Sequence, residues 1–429
     1  MNSFNLRRNV VSTVISFGLN LVLVFVSYRL VIRHGGLEAV GLWATLRSWI
    51  FIIRLGDAGM ANAVVRYAAA CDPLSEPMRI RRYVDSGLAM NSALFLALSL
   101  AGWAIFTTYL SHILPKQPAA QAAALPLLPI LFTSFFLENI SGLVMGCLRS
   151  IHRGYVAAWI SVAGTVTQLA VVVPLVPRVG LAGLAWGYFA QFALMLGVGW
   201  VLFLVYLRRG AGESGGALPI NGSWSVLKEM FVYSVTSQVA NLSNGIFEPL
   251  AKIMVGRLGG LEALGIFELA WRMVALPRNA IVSGVQAAVP ATTRLIVSDL
   301  EATRALYRRS LRLTMTAGLG VLITVVIASP VVSWLWLERL DTRLVIFVAI
   351  LATGFFVNMT GAPAFTIGVA SGRLGPNIQS ALISVALMMA LASLGSLLGG
   401  VISITAGIAF ALIFGGIYIR YRNERVLEE

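Results

Sequence analysis

Along the 429 residues, apolar runs of membrane-spanning length alternate with short polar or basic connections. As helices, runs near 20 apolar residues are long enough to cross a bilayer. They fall at 10–32, 41–66, 86–110, 125–148, 155–177, 182–206, 226–256, 263–291, 311–336, 343–371, 376–398 and 401–420, which predicts twelve transmembrane helices. The seventh, eighth and tenth runs exceed what a bilayer requires and are expected to tilt or project beyond it. The first run, after Arg7 and Arg8, is of full spanning length and lacks a small-residue cleavage site. It reads as a helix and not as a removed signal.

The pattern contains a duplication. Residues 33–43 read RHGGLEAVGLW and residues 257–267 read RLGGLEALGIF, with seven of eleven positions identical at an offset of 224. The offset also pairs Asn20 with Asn244 and Arg54 with Arg278. An internal repeat governs architecture before any local signal does. Each Gly-Gly reads as a helix end, and the Glu after it suits the positive start of the next helix. Six spans separate the copies, so orientation is preserved and the halves are expected to be parallel repeats about an axis along the membrane normal. The expected division is an N-terminal lobe over 1–206, a flexible Gly/Ser-rich linker over 207–225 and a C-terminal lobe over 226–429.

Composition agrees with a membrane chain: 58% of residues are hydrophobic, 12% are charged, and mean hydropathy is +0.84. A net charge of +14 would suit nucleic acid in a soluble protein, but its distribution gives another explanation. With the first residues inside, one set of connections and helix ends carries eighteen arginines, from Arg7 to Arg425. The other set carries six basic residues: Arg33, Lys116, Arg178, Arg257, Arg339 and Arg343. That bias puts both termini in the cytoplasm. It leaves outer loops of a dozen or so residues, too short for a catalytic domain. Residues 294–312 place Arg304, Arg308 and Arg312 on one face, which predicts a basic amphipathic helix on the inner leaflet. Cys71 and Cys147 are not expected to pair, and the three scattered histidines offer no metal site.

Charge inside the spans is the candidate chemistry. Arg47 and Arg54 lie seven apart on one face of the second span, with Asp57 on a neighbouring face. The eighth span carries Glu268, Arg272 and Arg278, and Pro277 where a kink is expected. The seventh carries a polar stripe of Ser237, Asn241, Asn244, Glu248 and Lys252; the first answers with Ser12, Ser16 and Asn20, and the fourth adds Glu138. Charges at this depth are expensive unless they face one another or a wet cavity. Local pairing of Glu248 with Lys252, Glu268 with Arg272 and Asp57 with Arg54 would account for part of them. The surplus is positive and suits an anionic group, because a guanidinium holds phosphate oxygens bidentately. The substrate candidates are Arg47, Arg54, Arg272, Arg278, Lys252, Asn20 and Asn244. Asp57, Glu138, Glu248 and Glu268 are candidates for coupling to an H⁺ or Na⁺ gradient, and no other cofactor and no metal is implied.

The first turn, the RLGDAG run from Arg54 to Gly59 and the EPLAK run from Glu248 to Lys252 resemble a family of polysaccharide and O-antigen flippases. That family lies in the multidrug/oligosaccharidyl-lipid/polysaccharide (MOP) superfamily. The resemblance implies an all-α fold of two six-helix lobes in a V, like that of the multidrug and toxin extrusion (MATE) transporters. It also implies a bacterial inner-membrane protein of lipopolysaccharide or capsule biosynthesis, not an enzyme, that moves an undecaprenyl-pyrophosphate-linked oligosaccharide outward. Membrane lipids and polysaccharide polymerase machinery are the implied partners, with no role for nucleic acid. The two extra spans of peptidoglycan-precursor flippases are not present, which makes lipid II a less expected cargo. A cation-coupled exporter of small molecules would need an acidic cleft. An integral-membrane glycosyltransferase or polymerase would need acidic motifs or large outer loops.

Overall fold

A computed structural model describes residues 3–57, 59–114, 117–210 and 222–427, without the side chains of 3–14, 16, 17, 209, 210, 232 and 235–244. The described residues are almost entirely helical. In lipid each backbone N–H and C=O must be satisfied within the segment, which a helix does and an open strand cannot. Hydroxyls inside the spans are absorbed the same way, as when Thr45 and Ser48 donate to the carbonyls four residues back at 2.9 and 2.7 Å.

The helices are α1 (Ser3–Arg54), α2 (Met60–Ala69), α3 (Pro77–Ile113), α4 (Pro118–Ala124), α5 (Leu128–Ser150), α6 (Gly154–Val179), α7 (Leu181–Gly210) and α8 (Trp224–Gly245). After them come α9 (Phe247–Gln286), α10 (Val289–Ser298), α11 (Leu300–Leu337), α12 (Thr342–Thr360), α13 (Ala362–Ala370), α14 (Gly375–Leu398) and α15 (Gly400–Glu424). Among the described residues ten segments are long and apolar enough to span a membrane. Two of these contain a break at the duplicated turn. Within α1, Gly36 stands at φ 70°, ψ −175°; within α9, Gly260 stands at φ 86°, ψ 172°. The two positions differ by 224 residues, and both hold a positive φ that favours glycine. Divided there, the helices supply a counterpart for each of the twelve predicted segments.

Several predicted elements differ from the observed ones; the seventh run is divided at Ile246 between α8 and α9, and the eighth at 287–288 between α9 and α10. The second span is interrupted: α1 ends at Arg54, Asp57 Oδ1 accepts from the backbone of Gly59 at 2.9 Å, and α2 starts beyond it. The tenth is divided at Gly361 into α12 and α13. The basic segment 294–312 is not a separate surface helix. Asp299 caps a new helix by accepting from the amide of Ala302 at 2.9 Å, and α11 then continues unbroken to Leu337. Arg304 is drawn onto the carbonyl of Leu427 at 2.8 Å, leaving Arg308 and Arg312 exposed.

By packing, the chain divides into two units that are not the two sequence repeats. One takes residues through Gly35 with Ile50–Val239, and the other takes Gly36–Trp49 with Ala240–Glu429. In the first, α5 packs on α2, α3 and α7 around Met60, Val64, Leu143, Cys147 and Phe203. The start of α8 joins this unit: the amide of Ser223 donates to Ser86, and Tyr83 donates to Glu229. In the second, α9 packs on α11, α12 and α14 around Leu264, Phe267, Phe347 and Leu351. The linker over 211–221 lies outside the described residues. Cys71 and Cys147 are free and buried.

Candidate functional site

The break at Gly260 reverses the chain within α9 and sets residues eight before it against residues eight after it. Lys252 Nζ lies 2.7 Å from Glu268 Oε2, and also 2.5 Å from Glu248 Oε1 on its own helical face. Glu268 Oε1 in turn accepts from Arg272 Nε at 2.8 Å. Charges alternate along this row of four, so their formal sum is zero. The middle pair is buried, with 5% of the Lys252 side chain and 1% of the Glu268 side chain exposed. The ends are open, at 41% for Glu248 and 35% for Arg272. Two of the locally expected pairs are therefore present, and the link between them crosses the turn. By the repeat offset, Lys252 and Glu268 correspond to Tyr28 and Ala44, so the row belongs to the second copy alone.

Arg54 and Arg278 occupy equivalent positions and meet different chemistry. In the first unit Arg54 Nη1 reaches Glu138 Oε1 on α5 at 3.1 Å. In the second, Arg278 Nη2 donates to Asn358 Oδ1 on α12 at 2.8 Å, and its Nη1 to Asn279 Oδ1 at 3.0 Å. The same offset carries Glu138 to Ala362, four residues beyond Asn358. The two arginines thus reach toward corresponding helices, one to a carboxylate and the other to an amide. Asn358 is itself oriented by donating to the carbonyl of Leu412 at 3.2 Å. Arg278 lies over the Phe355 ring at 5.7 Å, and its Nε is buried with no hydrogen-bond partner among the described residues. Amide partners bring no negative charge to the guanidinium.

Phe355 also receives Trp271, whose ring meets it edge-on at 4.8 Å. The indole nitrogen of Trp271 is likewise buried without a partner among the described residues. A buried N–H normally finds an acceptor, so two open donors flank one ring. Sequence reasoning missed Trp271. The signal was its place seven residues before Arg278, hence on the same helical face.

The remaining candidates divide as follows. Arg47 is half-buried in the second unit and engaged in an interaction, although the sequence offered it no partner. Asp57 serves the backbone turn into α2. Asn20 is exposed on α1. The side chains of Asn244, Ser237 and Asn241 lie outside the described residues. Among the described residues no group of three or more His, Cys, Asp or Glu side chains could hold a metal ion.

The fold defined by these helices is that of MOP superfamily transporters. A multidrug resistance MATE family transporter of that superfamily, in an inward-facing conformation, superposes with a TM-score of 0.81. Its identity is 14%, over 96% of this chain and 94% of that one. A MOP superfamily transporter from Pyrococcus furiosus, described as having a binding pocket of reverse polarity, gives 0.73 at 15% identity, over 99% and 96%. The lipid II flippase MurJ, in an inward closed conformation, gives 0.71 at 13% identity, over 97% and 87%. By sequence the chain belongs to the polysaccharide biosynthesis protein family, which matches residues 120–340, just over half of its length. No curated protein matches it by sequence. The chain is thus a multi-pass membrane protein of polysaccharide biosynthesis with a transporter fold.

Proposed function

We propose that this protein is a flippase that carries an undecaprenyl-pyrophosphate-linked oligosaccharide from the inner to the outer leaflet of a bacterial inner membrane. The cargo would be an O-antigen, capsule or exopolysaccharide repeat unit, and both termini would be cytoplasmic. The observation that carries this reading is the contrast between Arg278 and its neighbours. The row from Glu248 to Arg272 neutralises itself, and Arg54 has Glu138. Arg278 is ordered by amides and an aromatic ring, which bring it no negative charge, and has an N–H to spare. Such a group fits a phosphate oxygen, and charge-assisted hydrogen bonds of this kind contribute about 1.5–3 kcal/mol each.

Arg54 and Arg272, with their heads partly exposed, are assigned to the same anion, with Arg47 and Lys252 supporting the positive field. Transport would require acids that can exchange a cation. Glu248 is the open acidic end of the row, and Glu138 could trade Arg54 for a proton or Na⁺ when phosphate takes the guanidinium. The test is the pair Arg54→Ala and Arg278→Ala, expressed in cells that make a lipid-linked oligosaccharide and lack their own flippase. The expected outcome is a protein that reaches the membrane while its cargo accumulates on the inner leaflet. Undiminished surface polysaccharide from the double variant would overturn the assignment.

A further inference from the structure

Exposure along α11 recurs every three or four residues, so one face of this helix is exposed along its whole length. Tyr307, Thr314, Gly318, Leu322, Ser329 and Ser333 are buried on the opposite side. The rotation is fixed at the helix start, where Tyr307 donates to Glu424 and Arg304 to the carbonyl of Leu427. On the outward face Leu313, Leu319, Ile323, Ile327, Val331 and Trp334 are all exposed, Ile327 to 71%. In a chain built to span membranes, a continuous exposed apolar face meets lipid. At about 1.5 Å per residue, the stretch from Leu313 to Trp334 covers about 32 Å. That is close to the roughly 30 Å of a hydrocarbon core.

Arg308, Arg309 and Arg312 continue the same face just before this stretch, and all three are exposed. They therefore stand at headgroup level, directed at lipid. Arg312 is three residues from Arg309 and four from Arg308, so the charges are neighbours that repel one another. The acids nearest in sequence are engaged elsewhere. Glu301 pairs with Arg304 at 3.8 Å, Asp299 caps α11, and Glu424 holds Tyr307 and Arg420. The first repeat does not carry this cluster. Its counterpart of α11 is α3, and the equivalent Tyr83 and Tyr307 each donate to a glutamate. One residue further on the copies part. Arg308, Arg309 and Arg312 stand where α3 has Val84, Asp85 and Leu88, and both Val84 and Asp85 are buried. A basic bias shared by all connections on one side does not account for a triad confined to one copy and to one lipid-facing surface.

We propose that Arg308, Arg309 and Arg312 bind the phosphodiester headgroup of an anionic phospholipid whose acyl chains lie along the face from Leu313 to Trp334. Guanidinium forks hold phosphate oxygens bidentately, and basic clusters at the membrane end of a helix attract anionic lipid. The site goes beyond the flippase reading and is independent of what the protein carries. Native mass spectrometry of the detergent-solubilised protein tests it, with phosphatidylglycerol and phosphatidylcholine of the same chains offered in equal amounts. Wild type should retain phosphatidylglycerol preferentially, and the preference should fall about fivefold for each of the three arginines changed to Gln. Changing Arg82, Arg208 and Lys228, exposed basic residues of the first unit, to Gln should leave it intact. A second variant guards against misfolding: Arg312→Gln alone should show the single step at an unchanged melting temperature. No preference in the wild type, or equal loss from the two triple variants, overturns the site. Glycerol 3-phosphate at the same concentration should not compete. Displacement by it would show a site for free phosphate and overturn the proposal as well.

Discussion

At the scale of single residues, the buried middle and the open ends of the ion row should respond differently to substitution. Lys252 and Glu268 are held out of solvent and pair with each other and with the open ends of the row. Removing one partner from a buried pair leaves an uncompensated charge and costs about 3–5 kcal/mol. Glu268→Gln should therefore lower the melting temperature of the detergent-solubilised protein sharply, because it takes the bridging carboxylate from both Lys252 and Arg272. Glu248→Gln, at an exposed end, should lower it much less. Equal losses from the two would show that Glu268 does not bridge. None of the cross-turn pairing could be read from helical spacing, which relates residues three and four apart. Glu248 with Lys252 and Glu268 with Arg272 were legible for that reason. Lys252 with Glu268, and Arg54 with Glu138 at a separation of 84 residues, were not.

At the scale of elements, the duplication was the most informative signal because a repeated sequence must be satisfied by a repeated backbone. It foresaw the matching breaks at Gly36 and Gly260, which share their conformation as well as their sequence. It did not foresee why Gly41 and Gly265 recur: a Cβ on Gly41 would overlap the carbonyl oxygen of Leu261, and one on Gly265 that of Leu37, each in the other copy. Apolar runs also concealed the interruption after Arg54, where hydropathy continues through a turn fixed by Asp57 and Gly59.

The start of α12 shows the same economy of signals. Asp341 accepts from the amide of Arg343 at 2.9 Å and pairs with its guanidinium at 3.1 Å. Burial pushes the Asp341 carboxyl up, but the hydrogen bonds and charge of Arg343, with help from Arg339, outweigh it and hold the group below the ordinary carboxylate range. A lowered folded-state pKa stabilises above the unfolded value and loses that contribution as pH falls through the folded one. Asp341→Ala should thus cost about 1 kcal/mol near neutrality, a usual figure for a lost N-cap. The difference between wild type and variant should vanish in strong acid. Melting curves at neutral pH and near pH 3 would check this, and a difference that grows on acidification would refute it.

At the scale of the whole molecule, three features stand together: a MOP-type helical fold, an ion row of zero formal charge, and an arginine, Arg278, whose partners among the described residues are amides and a ring. The fold class was legible because twelve apolar runs, a basic-loop bias and a repeat point to one architecture. The chemistry of the site was legible only as an excess of positive charge. That Arg54 meets Glu138 and Arg278 meets Asn358 depended on α5 and α12, and those contacts belong to tertiary packing.

The most direct measurement is translocation in proteoliposomes. Undecaprenyl-pyrophosphate-linked oligosaccharide is loaded in one leaflet and its arrival in the other is followed with an impermeant glycan-modifying enzyme. The account predicts protein-dependent transfer that is lost in Arg278→Ala and is absent for the same glycan on an uncharged prenyl lipid. Equal transfer of the charged and uncharged lipids, or full transfer by Arg278→Ala, would contradict it.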